Sequence, residues 1–218
     1  MKIFHGFTLI EMAMVLIIMG FLMGGLLMPL SMQMDYQKNK DTKKVLETIK
    51  DALVGYAIIN GNLPCPALDE TGVGQDNPCV PNKEGNIPWA VLGGLGRYDS
   101  WGNPIRYRLD DAYGAKNFPA DLDTISELTI WDVDKKPLVN EAVNSNVIAV
   151  IYSCGKNGSP EEENNKDGYS GANCSSPFSG TTEVFTQDGY VEKKFDDILT
   201  WLPKTILINQ LAITGKWP

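Results

Sequence analysis

Histidine is all but missing from these 218 residues: His5 is the only one. A Ser-His-Asp or Cys-His centre needs an imidazole beside its nucleophile, and the common zinc sites use imidazole ligands. A body without histidine therefore excludes a conventional hydrolase of those kinds. Basic charge is also scarce. Lys and Arg number 19 against 27 Asp and Glu, giving a net charge of −8, and no basic stripe runs through the body of the chain. Phosphate binding needs a positive surface, so nucleic acid is not expected as the main partner. The four cysteines, Cys65, Cys79, Cys154 and Cys174, include no C-x-x-C pair, which argues against zinc or thioredoxin-type chemistry. Internal repeats are absent.

What the chain has is one long apolar run. Phe7 to Met34 carry a single ionisable side chain, Glu11. A membrane-spanning helix needs about 20 such residues, and Met12 to Met32 (MAMVLIIMGFLMGGLLMPLSM) supply them. A secretory signal has a shorter core and an A-x-A-like site after it; neither feature fits, so the run predicts a transmembrane helix. Gly24, Gly25 and Pro29 predict a kink or local melting within it, although both residue types are common in membrane helices. From Asp35 the helix continues in amphipathic form. Val45, Leu46, Ile49, Ala52, Leu53, Tyr56 and Ala57 recur at three- and four-residue steps, with Lys43, Lys44, Glu47 and Lys50 on the other face. Gly61 and Pro64 stop it. The whole helix would run about 50 residues, or roughly 75 Å.

The length suits one globular domain beyond this extension. Its remainder is β-rich and loop-rich. Predicted strands are Ile105–Leu109, Leu128–Trp131, Val147–Tyr152 and Glu183–Thr186, and Asp188-Gly189 is a turn signal ahead of Tyr190-Val191. Ser159 to Gly180 reads as a long polar loop. Phe195 to Leu211 reads as a helical or mixed segment broken at Pro203, in which Phe195–Leu202 is a packing helix or a partner-facing edge. Four cysteines allow three connectivities. Cys65–Cys79 and Cys154–Cys174 are favoured because each closes a short, loop-rich segment. Such pairing implies an exported chain; free buried thiols in a cytosolic protein are the competing account.

The stretch Gly6-Phe7-Thr8-Leu9-Ile10-Glu11, followed at once by the apolar run, resembles the processing site of type IV prepilins and of the pseudopilins of type II secretion. The resemblance implies cleavage between Gly6 and Phe7 by a prepilin peptidase and N-methylation of Phe7. It divides the chain into a leader (1–6), a transmembrane and assembly helix (7–34), an amphipathic half (35–61) and an exported pilin-like domain (62–218). With the leader gone, no histidine remains. A carboxylate within a bilayer costs about 2.5–3.5 kcal/mol on insertion scales, so Glu11 needs a partner. The resemblance implies the N-terminal amine of a neighbouring subunit; the plainer account is a carboxylate solvated at headgroup level. Lys2 favours a cytoplasmic start, while Lys38, Lys40, Lys43 and Lys44 argue the opposite way. The prepilin resemblance and the cysteines place the C-terminal domain outside the cytoplasm.

Two further stretches carry resemblance. Asp99-Ser100-Trp101-Gly102-Asn103-Pro104, entering Ile105-Arg106-Tyr107, is similar to the start of the sheet in the major pseudopilin of type II secretion. Trp101 would cap the helix–sheet core as a packing residue. Ser153-Cys154-Gly155-Lys156-Asn157-Gly158 partly resembles a turn beside which those pseudopilins bind calcium, but Asn157 stands where an acid is usual and Cys154 is extra. Glu161, Glu163 and Asp167 are the calcium candidates. They lack the EF-hand spacing, and a solvated acidic loop is the plainer account. No other cofactor is implied.

The expected fold is α+β and pilin-like: a long N-terminal helix on an antiparallel sheet, with disulfide-closed loops. The expected function is structural rather than enzymatic. The chain would be a subunit, more in keeping with a minor one, of a type IV pilus or a type II secretion pseudopilus. Domain size and disulfides favour the pilus; the D-x-W-G-N-P stretch favours the secretion machine. Implied partners are like subunits, the prepilin peptidase and an inner-membrane assembly platform. The implied location is the bacterial inner membrane, single-pass with a periplasmic domain, and then an extracellular pilus or periplasmic pseudopilus. The alternative is a membrane-anchored periplasmic carbohydrate-binding or hydrolytic domain, with tryptophans and aspartates lining a groove.

Overall fold

The structure is a computed structural model that describes residues 6–74, 79, 84–114, 125–139, 146–165, 174–175, 183–189 and 195–216, apart from the side chains of 25–30. It divides into two compact units, Met1–Lys38 and Asn39–Pro218. Helix α1 spans Leu9–Asn60. Its assignment continues through Gly24, Gly25 and Pro29, so the local melting expected there does not occur. Proline removes one donor, and the ladder resumes on both sides of it. In the first unit the apolar side chains of 7–24 are exposed. Among the described residues, no helix is long and apolar enough to cross a membrane.

In the second unit, Thr42, Leu46, Ile49, Leu53 and Ala57 form the buried stripe of α1, at steps of three and four residues that keep one face inward. Val45, Ala52 and Tyr56 flank it, half-buried. Lys43, Lys44 and Glu47 stay exposed. Gly61, at φ +74°, ends the helix and donates its N–H to Ala57 O at 2.9 Å. This left-handed conformation favours glycine.

The stripe packs on a four-stranded antiparallel sheet. In chain order its members are β1 (Glu84–Asn86), β2 (Arg106–Leu109), β4 (Val147–Ser153) and β6 (Ile198–Pro203), adjacent in that order. Strand β4 is buried along its whole length. Ile148, Ala149 and Ile151 join the helix-side core; Val147, Val150 and Tyr152 join a second core on the opposite face. A bulge between Val147 and Ala149 breaks strict alternation. The second core is covered by β3 (Thr129–Trp131) and β5 (Val184–Thr186), a two-stranded sheet whose strands run parallel. The sheet under the helix is antiparallel, as expected; this second, parallel pair lies beyond that expectation. The reason is connectivity: β4 lies between β3 and β5 in sequence, a crossover long enough to allow parallel pairing.

The segment Phe195–Leu202 also differs from its helical reading. Ile198-Leu199-Thr200-Trp201-Leu202 is rich in β-branched and aromatic residues and pairs with β4 as an edge strand. Pro203 (φ −70°, ψ 142°) closes it and opens α2 (Lys204–Ile213), whose Leu207 and Leu211 enter the helix-side core. Proline lacks the N–H that a continuing strand would use, and its fixed φ suits a helix start. Tyr190 and Val191 lie outside the described residues.

Both disulfides follow the favoured pairing. Cys65–Cys79 and Cys154–Cys174 have Cα–Cα distances of 5.3 and 6.1 Å. The first closes the segment between helix and sheet. Strand β2 conceals a network that alternation does not predict. Arg106 Nε donates to Glu84 Oε1 at 3.2 Å, Tyr152 donates its hydroxyl to the same oxygen at 2.7 Å, and Arg106 Nη1 donates to Asn86 Oδ1 at 3.0 Å. These groups tie β1, β2 and β4 together.

Ile49 sits at the centre of the helix–sheet contact, and a side chain added at Gly96 would overlap its Cδ1. Ile49→Ala is expected to cost about 2–5 kcal/mol of stability, the range for truncating a fully buried aliphatic. Lys44→Ala, on the exposed face, should stay within about 0.5 kcal/mol. Urea unfolding of the two variants checks the contrast.

Candidate functional site

The N-terminal site is built by local helix chemistry. Thr8 precedes α1 and Glu11 lies in its first turn. Glu11 Oε2 accepts from Thr8 N at 2.8 Å and from Thr8 Oγ1 at 2.9 Å, while Thr8 Oγ1 accepts from Glu11 N at 3.3 Å. This reciprocal pairing is a capping box, Thr-x-x-Glu, which satisfies donors the helix start leaves free. Sequence reading missed this role, although the spacing was there to be read. Gly6 and Phe7 lie ahead of the cap, outside the helix and exposed. A side chain added at Gly6 would meet nothing within 4 Å. The fold does not require glycine there, so any requirement comes from a molecule that reads this bond.

A second constellation joins the two resembling turns. Asp99 is buried and accepts from Trp101 N at 2.9 Å and Asn103 N at 2.8 Å through Oδ1, and from Ser153 Oγ at 2.6 Å through Oδ2. Asn103 Nδ2 donates to Gly155 O at 2.7 Å. The two turns are thus locked to each other by contacts 52 and 54 residues apart in sequence, and Ser100 N donates to Thr42 Oγ1 of the helix at 3.2 Å. Trp101 is half-buried against the helix-side core, in its expected packing position.

The locked turn runs directly into a cluster of carboxylates. Glu161, Asp196 and Asp197 bring ligand-type oxygens within 4.8 Å of one another. Asn157 N donates to Asp196 Oδ2 at 3.0 Å, and Asn157 Nδ2 donates to Glu161 Oε1. Asp196 N donates to Glu161 Oε2 at 2.8 Å. Glu161 N and Asn164 Nδ2 both donate to Asp197 Oδ2, at 2.9 and 2.8 Å. The other oxygens of the two aspartates, Asp196 Oδ1 and Asp197 Oδ1, are buried without a hydrogen-bond partner. Of the three sequence candidates only Glu161 belongs to this cluster. Glu163 turns away on the short 3-10 turn of 162–164 and pairs with Lys135 at 3.6 Å, and Asp167 lies outside the described residues. The missed members are Asp196 and Asp197. Their signal was two consecutive acids immediately ahead of a strand-like run.

Electrostatics make the cluster poor as a set of free acids. Burial pushes Asp197 well above the ordinary carboxylate range, against the pull of the Glu161 N–H and Asn164, and with Glu161 and Asp196 adding repulsion. Burial also raises Glu161 to about 7. Two orphaned, buried carboxylate oxygens beside a third carboxylate are a hard-oxygen donor set that suits calcium. Elsewhere, two clefts beside Trp89 and Arg106 have volumes of about 120 and 250 Å³, below the roughly 300–1,000 Å³ of typical ligand pockets.

The pH consequence has a definite sign. An acid whose folded pKa is raised stabilises the fold fully below its unfolded pKa and loses that contribution as pH rises through the folded value. In chelator, the unfolding midpoint should therefore fall between about pH 5 and 8, following Glu161 and Asp197. Asp197→Asn, neutral throughout, should flatten the slope. Thermal unfolding at several pH values measures both.

Comparison with known proteins adds one match. Residues 1–27 fit the family described as the prokaryotic N-terminal methylation motif. No curated protein and no solved structure matches the chain. The matched segment contains Gly6, Phe7 and the Thr8–Glu11 box, and its description agrees with the resemblance those residues carry. The chain thus bears the type IV pilin and pseudopilin signature, which supports a precursor of that kind processed by prepilin peptidase.

Proposed function

We propose that this chain is a structural, non-catalytic subunit of a type IV pilus or type II secretion pseudopilus. The observation that carries this reading is a single one. A glycine that the fold does not need stands directly before a capped helix whose first turn holds the lone acid of a long apolar stretch. The peptidase cuts between Gly6 and Phe7, and the new Phe7 amine is methylated. The apolar half of α1 anchors the precursor in the inner membrane with residues 62–218 outside the cytoplasm. Both disulfides support that side. On assembly, the Glu11 carboxylate meets the N-terminal amine of a neighbouring subunit in an apolar core, where an unpaired charge would be costly. The large disulfide-closed domain favours a minor pilus subunit.

The carboxylate cluster fits the same role as a structural clamp. Glu161, Asp196 and Asp197 hold a divalent cation, calcium by its preference for oxygen ligands. The cation neutralises the cluster and fixes the entry to β6. The absence of histidine beyond His5 speaks against a Ser-His-Asp or Cys-His form of the anchored-enzyme alternative.

Two tests follow. Mass spectrometry of protein from its host is expected to find a chain beginning at a methylated Phe7; an intact Met1 sinks the proposal. Glu11→Gln separates charge from capping, because Gln also serves in a capping box. It should keep the helix start yet fail to enter filaments. Normal assembly of that variant removes the charge-pairing role. Calcium should raise the unfolding midpoint at pH 8, with about 2.7 kcal/mol of stabilisation at a hundredfold excess over Kd. Asp197→Asn should abolish the rise, and a flat calcium titration of the unmutated chain rejects the site.

A further inference from the structure

An unspent cation stands two residues before Asp99. Arg97 lies with its guanidinium 4.8 Å from the centroid of the Trp89 ring and 5.0 Å from that of Tyr98. It is exposed, and among the described residues it makes neither an ion pair nor a hydrogen bond. Among the described residues its N–H donors therefore have no partner, and its guanidinium is held beside two aromatic rings. Stacked guanidinium groups of this kind suit bidentate binding of a carboxylate.

The surround is apolar and rigidly built. Val91 and Leu95 are each 41% exposed, and Tyr98 is 49% exposed. The turn that carries them is closed by Gly94 N donating to Trp89 O at 2.7 Å, and its far end rests on Ile49 of α1 through Gly96. The ring of Trp89 is backed by Gly72, and Ala90 N donates to Gly72 O at 3.0 Å. Tyr98 bridges to Pro104 next to the locked Asp99 turn. A face already held in place loses little freedom on docking. Trp, Tyr and Arg are also the residue types that dominate binding energy at interfaces.

Charge selects the occupant. The chain has eight more acids than bases, 27 against 19, so its own surface supplies the complementary group. Asp51 on the outer side of α1 and Glu162 on the 3-10 turn of 162–164 are exposed carboxylates with no ion pair among the described residues. Glu162 is held at a positive φ of 46°. We infer that the Trp89–Arg97–Tyr98 stack, with Val91 and Leu95, is a docking face for an acidic surface of a second copy of this chain. The inference rests on the filament reading and deepens it, by naming a contact between globular domains that is separate from the N-terminal helix. It is compatible with a minor subunit present in more than one copy.

The test uses the full chain in its host, with a photo-crosslinking benzophenone amino acid at Leu95 and, in a separate strain, at Val15 of the apolar helix. The expected result is a product of two copies from each position, identified by mass spectrometry. Arg97→Glu should lower the Leu95 product about tenfold or more, the scale of losing one charge-assisted pair, and leave the Val15 product in place. Arg97→Lys should lower it less. The unfolding midpoint of Arg97→Glu, unchanged for an exposed side chain, separates lost docking from lost folding. Crosslinks between copies at Val15 but none at Leu95, or a Leu95 product made only with another protein, overturn the docking face and leave the filament reading standing. An Arg97-independent Leu95 product overturns the role of the stack. Failure at both positions removes the filament reading and this inference with it.

Discussion

Strand β4 is buried on both faces, and the rest of the second unit follows from that. Val147 to Tyr152 are almost wholly apolar, so neither face tolerates water. The buried stripe of α1 covers one side through Leu46, Ile49, Leu53 and Ala57; β3 and β5 cover the other through Ile130 and Phe185. Long-range pairing with β2 and β6 satisfies the backbone. The long segments between strands exist because three elements distant in sequence must reach one central strand.

Two buried acids organise what lies at the end of that strand. Asp99 uses its oxygens to fasten the turn before β2 to the turn after β4, and every acceptor contact it makes is with a nearby N–H or hydroxyl. Asp197 has donors on one oxygen only. This difference separates a structural acid from one suited to a ligand. A satisfied buried carboxylate is a fastener; a half-satisfied one is a vacancy for positive charge. The disulfide Cys154–Cys174 starts between these two acids, and Arg106 Nη1 donates to the Cys174 carbonyl at 3.5 Å. The polar network of β2 is thus tied to the disulfide, whose two cysteines sit in the second core.

Glu11 shows how one side chain can serve two states. In the isolated chain its carboxylate closes a capping box with Thr8. In the proposed filament it meets an amine. The cap gives the acid two donors from Thr8 before assembly, and it holds the carboxylate beside the residue where the mature chain would begin. Such a device needs no movement of the helix, only an exchange of partners at its first turn.

Sequence alone determined the elements whose causes are local. The helix stripe from Leu46 to Ala57, its stop at Gly61, four of the six strands among the described residues and the processing stretch were legible from periodicity, turn chemistry and motif. Both disulfides were legible as the pairings that close short loops. The buried state of Arg106 and Arg108 was not, because alternation assigns such residues to a wet face and only the pairing of β1 and β4 around β2 buries them. Phe195–Leu202 read as a packing helix or a partner-facing edge, since its spacing carries no record of the partner strand that makes it extended. Asp196 and Asp197 joined Glu161 by the same route. They are 35 and 36 positions from Glu161 in sequence, and tertiary pairing alone brings them together. Local propensity is written residue by residue, whereas a site made from distant segments exists only once long-range burial has decided which segments meet.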